Sequence, residues 1–413
     1  MRSNNLKIAI DCRISDPREG TGRAVMALAG ALSNSSDCGQ EYTFVVREDA
    51  TDWIKPHIFG PCRLETTPAP KPGNRLKSKL RVLPGVRSLY KTIRPYSKRI
   101  VPVPVSDGLL ESRNFDVVHF PTQTATLTNI PSIFQPWDLQ HCHFPQYFPE
   151  MEVKARETLY RAFCNRARYV CVQTEWGKND LLRNFSIEPE KVKVIPWGSN
   201  FEEQLPPSPS IVSAAAAKLN LPDQFLFYPA VTWEHKNHAA IIQALRVLRD
   251  THGIRPQVRF TGKCTSFRSM LDRLAGELGV ANQISFLGFV SPEELQAVYA
   301  RATALVFPSR FEGFGLPLLE AFHAGVPVLA SNSTVLPEVG LNAALYFDPD
   351  SPEQLAQQIK LVLQSAGLRH QLIQKGKEVL SQFSIRRTAA EFQALYEVTA
   401  RRYALARAAG PAA

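Results

Sequence analysis

Short apolar runs alternate along the chain with stretches whose apolar positions repeat at helical spacing. A parallel strand covered on both faces reads as a continuous apolar run, so this alternation predicts βα units and parallel sheets, an α/β fold. The runs place strands at residues 6–11, 43–46, 117–120, 132–135, 169–173 and 192–197 in the first half. In the second half they fall at 225–229, 258–261, 284–287, 304–308, 326–330 and 344–347. Helix starts are marked by Thr174 before Glu175, by Ser291-Pro292-Glu293-Glu294 and by Ser351-Pro352-Glu353, each an oxygen cap followed by first-turn acids. Pro206, Pro207 and Pro209 with an alanine run make residues 199–222 an inter-domain connector, with the boundary near 200–218. The predicted domains are therefore 1–200 and 215–385. Residues 386–413 form a last helical piece, with Phe392, Leu395, Tyr396 and Tyr403 at helical spacing, suited to pack back on the first domain.

A chain of 413 residues exceeds one compact core, which agrees with two domains. Its 44% hydrophobic and 21% charged residues are the balance of a soluble globular protein. The net charge of +10 is confined to one place. Ten basic residues lie between Lys71 and Arg99, no acid lies within the insertion 66–106, and the remainder balances at 38 basic against 38 acidic residues. These charges are interleaved with Leu76, Leu80, Val82, Leu89, Tyr90 and Ile93, which suits an anionic membrane surface or a lipid-diphosphate acceptor as well as a solvated insertion. No nucleic-acid module accompanies them, so nucleic acid is not expected as a partner. No apolar stretch spans a bilayer and the first apolar run is too short for a signal-peptide core, which predicts a cytoplasmic protein. The seven cysteines are scattered without a C-x-x-C pair and read as reduced, buried small hydrophobes.

Candidate chemistry concentrates in residues 304–330, ALVFPSRFEGFGLPLLEAFHAGVPVLA. A strand ends at Pro308, a glycine-punctuated loop follows, and a helix begins near Leu316. In open α/β sheets ligands sit beyond the carboxyl ends of the strands. Gly313 and Gly315 let backbone amides approach a ligand, and the helix N-terminus after them favours phosphate. Glu312 and Glu320 can each accept hydrogen bonds from a vicinal diol, one from a sugar and one from a ribose. Either glutamate alone also reads as an ordinary loop or surface acid.

The combination Glu312-Gly313-Phe314-Gly315-Leu316-Pro317 with Glu320, preceded by Pro308-Ser309 and followed by Ala324-Gly325-Val326-Pro327-Val328, resembles the signature of retaining family 4 glycosyltransferases of the GT-B fold. The resemblance implies two Rossmann-like domains facing across a cleft. The first would be the acceptor side and the second would hold a nucleotide-sugar of GDP or UDP type. By that resemblance Glu312 contacts the donor sugar, Gly313, Phe314, Gly315 and Leu316 supply loop amides, and Glu320 meets the ribose. Lys236-Asn237, after Tyr228-Pro229-Ala230 and Trp233, resembles the family's lysine element that neutralises the diphosphate; Ala230 and Val231 stand where an arginine is frequent, leaving Lys236 to carry the diphosphate alone or with help from Arg310 or Lys263.

In the first half, Asp16 to Arg23 carries Gly20 and Gly22, resembling the family's glycine loop against the diphosphate. Simple turn formation explains those glycines equally well. A dehydrogenase reading would need a third glycine where Val25 stands. Residues 135–148 gather Asp138, His141 and His143 and resemble the family's element near the reacting carbon, although Trp137 fills the usual histidine position. The catalytic candidates are Glu312, Lys236, His141 and Asp138, and the acceptor-side candidates are His119, His141 and His143. Asp348-Pro349-Asp350 matches a metal-binding D-x-D pattern but reads as a turn before the Ser351 cap, so no metal or other cofactor is expected. The expected activity is transfer of a hexose, with mannose the first choice, to a bacterial polysaccharide or lipid-linked acceptor at the inner face of the membrane. The rival is a binding protein of the same fold without turnover.

Overall fold

The computed structural model describes residues 5–13, 20–35, 39–69, 101–198 and 207–408. The basic segment 71–99, the loop before Gly20 and the side chain of Tyr403 lie outside the described residues.

The first lobe is one parallel sheet of β1 (Leu6–Asp11), β2 (Gln40–Arg47), β3 (Cys62–Thr67), β4 (Val117–Phe120), β5 (Ser132–Phe134), β6 (Tyr169–Val172) and β7 (Val192–Val194). Its strand order is β3-β2-β1-β4-β5-β6-β7. The second lobe holds β8 (Phe225–Pro229), β9 (Gln257–Thr261), β10 (Ile284–Gly288), β11 (Ala304–Phe307), β12 (Val328–Ser331) and β13 (Ala344–Phe347). They are again all parallel, in the order β10-β9-β8-β11-β12-β13. Each sheet reverses its winding once, between β1 and β4 and between β8 and β11, and at such a switch point the flanking loops part to leave a crevice.

Alternation within the strands sets the two cores of the first lobe. Ile8, Ile10, Val117, Ile133, Tyr169 and Cys171 face one side, while Ala9, Val45, Val118, Phe134, Val170 and Val172 face the other with Tyr160, Phe163 and Cys164 of the helix Glu150–Arg166. The long helix Ile385–Ala408 returns from the second lobe and covers the first face, packing on the helix Gly20–Ser33, β1 and β4. Phe392 and Tyr396 are its fully buried anchors, and the Gln40 amide donates to the Gln393 carbonyl at 3.1 Å. Where the chain leaves β7 it crosses the start of this helix, and the Gly198 amide donates to Thr388 Oγ1 at 2.9 Å.

Three features differ from the sequence expectation. Strand β3 was not foreseen: it lies at the sheet edge with a half-open face, and its residues CRLETT lack the apolar run of a central strand. The connector is in part a helix, Pro209–Lys218, capped by Ser208 and built on the alanine run. That helix belongs to the second lobe, where it packs on the helix Pro292–Arg301 and Lys218 pairs with Glu294 at 2.5 Å. Gly22 sits within the first turn of the helix Gly20–Ser33 and is buried, not part of a loop. Among the described residues no helix is long and apolar enough to cross a membrane.

Candidate active site

The switch point of the second lobe assembles most of the charged groups. The segment after β8 forms a short turn, Glu234–Lys236, closed by Asn237 in the left-handed region at φ 55°. Buried Tyr228, at the end of β8, donates its hydroxyl to the Lys236 carbonyl at 2.7 Å and lies 3.0 Å from Ser309 Oγ after β11. Asn237 donates its amide to the carbonyls of Pro308 (3.2 Å) and Pro349 (2.8 Å). Both residues are thereby spent on tying loops together. Asn237, expected to touch the donor, is 4% exposed, with its side-chain amide turned to these two carbonyls.

So fixed, Lys236 extends its ammonium to Glu312, donating to Oε1 at 2.7 Å. The Glu312 backbone is held at both ends by Thr334 Oγ1, which accepts from its amide and donates to its carbonyl, each at 3.2 Å. Gly315 turns the chain at φ 102°, and an added Cβ would lie 2.8 Å from Leu336 Cδ2, so only glycine starts the helix Leu316–His323 here. Phe314 is buried, its ring 5.8 Å from that of Phe383. One turn into that helix Glu320 accepts from Tyr299 Oη at 2.7 Å and from Arg23 Nη2, across the cleft, at 2.6 Å. Burial and the neighbouring Glu320 charge hold the Tyr299 hydroxyl well above its ordinary pKa, so it stays a donor. Each Glu320 oxygen keeps a second lone pair for a further hydroxyl.

From the first lobe, Asp138 meets this loop. An added Cβ at Gly313 would lie 3.2 Å from both Asp138 Cβ and the Trp137 carbonyl, so the missing side chain lets the lobes touch. Burial pushes the Asp138 carboxyl above the usual range, and the Glu312 charge adds to that, against the Gln140 amide, Arg156 and Lys236. Trp137 is itself at φ 66°, donates its indole N–H to the Pro121 carbonyl at 2.7 Å and packs on Trp197.

Two of the three histidine assignments require correction. His119 is wholly buried, with Nδ1 2.8 Å from the Tyr396 hydroxyl and Nε2 2.8 Å from Gln135 Oε1. Burial lowers its pKa to about 3. It joins the sheet to the return helix and does not line an acceptor site. His141 is also fully buried, edge-on to Tyr160, with Nε2 3.5 Å from Cys142 Sγ; burial, then Arg156 and His143, lower its pKa to about 4. It has no route to a substrate here. His143 is partly exposed but bound to Asp180 Oδ1 at 2.7 Å, its ring 5.2 Å from that of Phe311. Arg310 pairs with Asp350, and the Asp348 carboxylate accepts from the Asp350 amide, which makes 348–350 a turn. Sequence reasoning missed Tyr299 and Thr334, which hold Glu320 and Glu312, and named Tyr228 without its role in holding Lys236; Arg23 was visible only as a basic residue at a helix start.

With this geometry in place, residues 213–379 match the family described as glycosyl transferases group 1, and residues 20–203 match Glycosyltransferase Family 4. The chain belongs to the family 4 glycosyltransferases. Among relatives of this glycosyltransferase, O-antigen chain mannosyltransferase B of Escherichia coli is 27% identical over 315 residues, 75% of this chain and 79% of that protein. O-antigen chain mannosyltransferase RfbU of Salmonella typhimurium is 28% identical over 222 residues, 53% and 58% of the two chains. Among solved structures, HepE of Anabaena in complex with UDP and glucose superposes with a TM-score of 0.69 at 17% identity, covering 95% of this chain and all of that one. Sucrose-phosphate synthase of Thermosynechococcus elongatus superposes at 0.70 and 20% identity over 95% and 98%. At those identities the likeness is one of fold, and that fold is GT-B.

Proposed function

We propose that this glycosyltransferase moves a hexose, mannose in the first instance, from a nucleotide-diphosphate sugar to a growing bacterial polysaccharide or lipid-linked saccharide, with retention at the anomeric carbon. The carrying observation is the Lys236–Glu312 pair at 2.7 Å at the switch point of the second lobe, with Asp138 facing that loop and Glu320 in the helix that follows it. The two O-antigen mannosyltransferase relatives support mannose; the nucleotide in HepE, UDP, keeps both GDP and UDP donors in view.

The chemistry follows from charge. When the bond between the anomeric carbon and the phosphate oxygen breaks, negative charge grows on the diphosphate. Lys236 spends one of its three hydrogens on Glu312 and has two for that charge. The amides at the start of the helix Leu316–His323 add their dipoles. Glu312 holds the sugar hydroxyls, and Glu320 grips the ribose while Tyr299 and Arg23 keep it in place. The acceptor oxygen bonds to the anomeric carbon on the face the phosphate leaves, and its proton passes to the departing phosphate. The sequence of steps thus needs no histidine base and no metal ion. We place the protein at the inner face of the cell membrane, with residues 71–99 meeting anionic lipid.

Purified protein supplied with GDP-mannose, UDP-glucose and their sugar variants, together with a lipid-linked saccharide, tests this. Consumption of GDP-mannose with an α-linked product by proton NMR is expected. A β-linked product would exclude retention, another preferred donor would exclude mannose, and nucleotide binding without turnover would favour the binding-protein alternative.

A further inference from the structure

Phe311, the residue before Glu312, leaves the second lobe and is 2% exposed because the first lobe surrounds it. Its ring lies 5.2 Å from His143, 5.8 Å from Trp176 and 6.1 Å from Phe144, all first-lobe residues. The socket is braced: Asp180, one turn after Trp176, binds His143 at 2.7 Å. A second contact lies beside it. Glu338, in the short helix Leu336–Gly340 of the second lobe, accepts from the amides of Glu175 (2.7 Å) and Trp176 (2.9 Å) through its two oxygens. Those amides open the helix Glu175–Asn184, whose first N–H groups have no partner within the helix, and Thr174 satisfies Gly177 only. Trp176 takes part in both contacts, with its ring on Phe311 and its amide on Glu338.

The two contacts reach Glu312 from both sides. Phe311 is bonded to it, and Thr334, four residues before Glu338 in the same segment, clamps its amide and carbonyl. We propose that Phe311 and Glu338 are positioning residues that form a two-point clasp between the lobes, and that closing this clasp sets Glu312 against the donor sugar. The inference rests on the reading of Glu312 given above. With the lobes apart, Phe311 loses its socket and Glu338 its amides, so the loop carrying Glu312 keeps only its second-lobe contacts, Thr334 and Lys236, and loses the two that come from the first lobe. Donor bound to the open second lobe is then held by Lys236 and Glu320 but not aligned for transfer, which protects it from water until the acceptor lobe closes.

The test uses the full-length protein with Phe311→Ala, Glu338→Gln and the double variant. Nucleotide affinity is measured by calorimetry, kcat and KM from initial rates, and the radius of gyration by small-angle scattering with and without nucleotide. The clasp predicts a fall in kcat of roughly ten- to hundredfold, because small misplacement of a positioned group is costly. Nucleotide affinity should stay within about twofold of wild type, since an amide pair and an aromatic socket do not touch the nucleotide. The radius of gyration should rise, and the double variant should be no worse than the product of the singles. Wild-type kcat in Glu338→Gln, or affinity and kcat lost in equal measure, overturns the clasp. If Phe311→Ala does not fold, as circular dichroism would show, Glu338→Gln still decides. A wild-type protein that turns over no nucleotide sugar would count against the functional reading instead, and scattering would then decide the clasp alone.

Discussion

The second lobe presents to the cleft Lys236, Glu312 and Glu320, three charged side chains from a turn, a loop and the helix after that loop, all at one switch point. The first lobe, with the same strand order at its own switch point, presents mainly surfaces: the Trp137 carbonyl, the amides of Glu175 and Trp176, the rings of His143 and Trp176, with Asp138 and Arg23 as its charges. The difference follows from what each must hold. A diphosphate and two diols are recognised by a few charges at fixed spacing, which a contiguous loop supplies. Closure and acceptor placement need shape, which long-range packing supplies.

The largest expected effect tests the charged half of that contrast. Glu312→Ala and Lys236→Ala should each lower kcat by roughly a hundred- to thousandfold, the range for a group that meets charge developing in the transition state. The double variant should lose little more than either single, because Lys236 Nζ and Glu312 Oε1 are direct partners. Initial rates at saturating donor check this. Rates near wild type in either single variant would remove the pair from the chemistry.

What could be read from the chain divides along the same line. Buried parallel strands announce themselves as apolar runs, and residues 117–120, 225–229 and 344–347 were legible to the residue, whereas edge strand β3 was not. Glu312, Gly315 and Glu320 were legible because their spacing is local. His119 misled because a strand-end position shows that a residue reaches the cleft edge but not which way it faces, and His141 because its place after a strand end does not show that it turns inward onto Tyr160. His119 shares a face with Val117 and meets Tyr396, 277 positions away. Phe311, Thr334 and Glu338 carry no local signal at all, since their partners come together only in the folded chain.

A middle-sized effect separates gripping from bracing at the ribose end. Glu320→Ala should weaken GDP or UDP binding by roughly ten- to hundredfold, the loss of hydrogen bonds to a charged group. Arg23→Ala should cost less than about fivefold, because its guanidinium is half exposed and such ion pairs are weak. Calorimetry with the free nucleotide reads both. Equal losses would mean that the first lobe binds the donor as strongly as the second.

The smallest effect on turnover belongs to His119, and pH reveals its role. His119 has its pKa lowered to about 3 by burial, as do His235 and His238, and His141 is lowered to about 4. An unfolded histidine takes up a proton near pH 6.5 while these stay neutral, so the unfolded chain binds more protons and stability falls as the pH is lowered. The stabilisation is fully present above pH 6.5 and is lost progressively down to about 4 for His141 and about 3 for the others. Each contributes a slope of about 1.4 kcal/mol per pH unit in that window. Urea denaturation at pH 6.5 and 5 should therefore show a marked loss for the wild type, and His119→Gln should reduce that loss by about 2 kcal/mol. The same variant should keep kcat within about twofold at neutral pH, because its ring bonds only Tyr396 and Gln135. A large fall in kcat with an unchanged pH slope would return His119 to the cleft and erase the contrast between a lobe of charges and a lobe of surfaces.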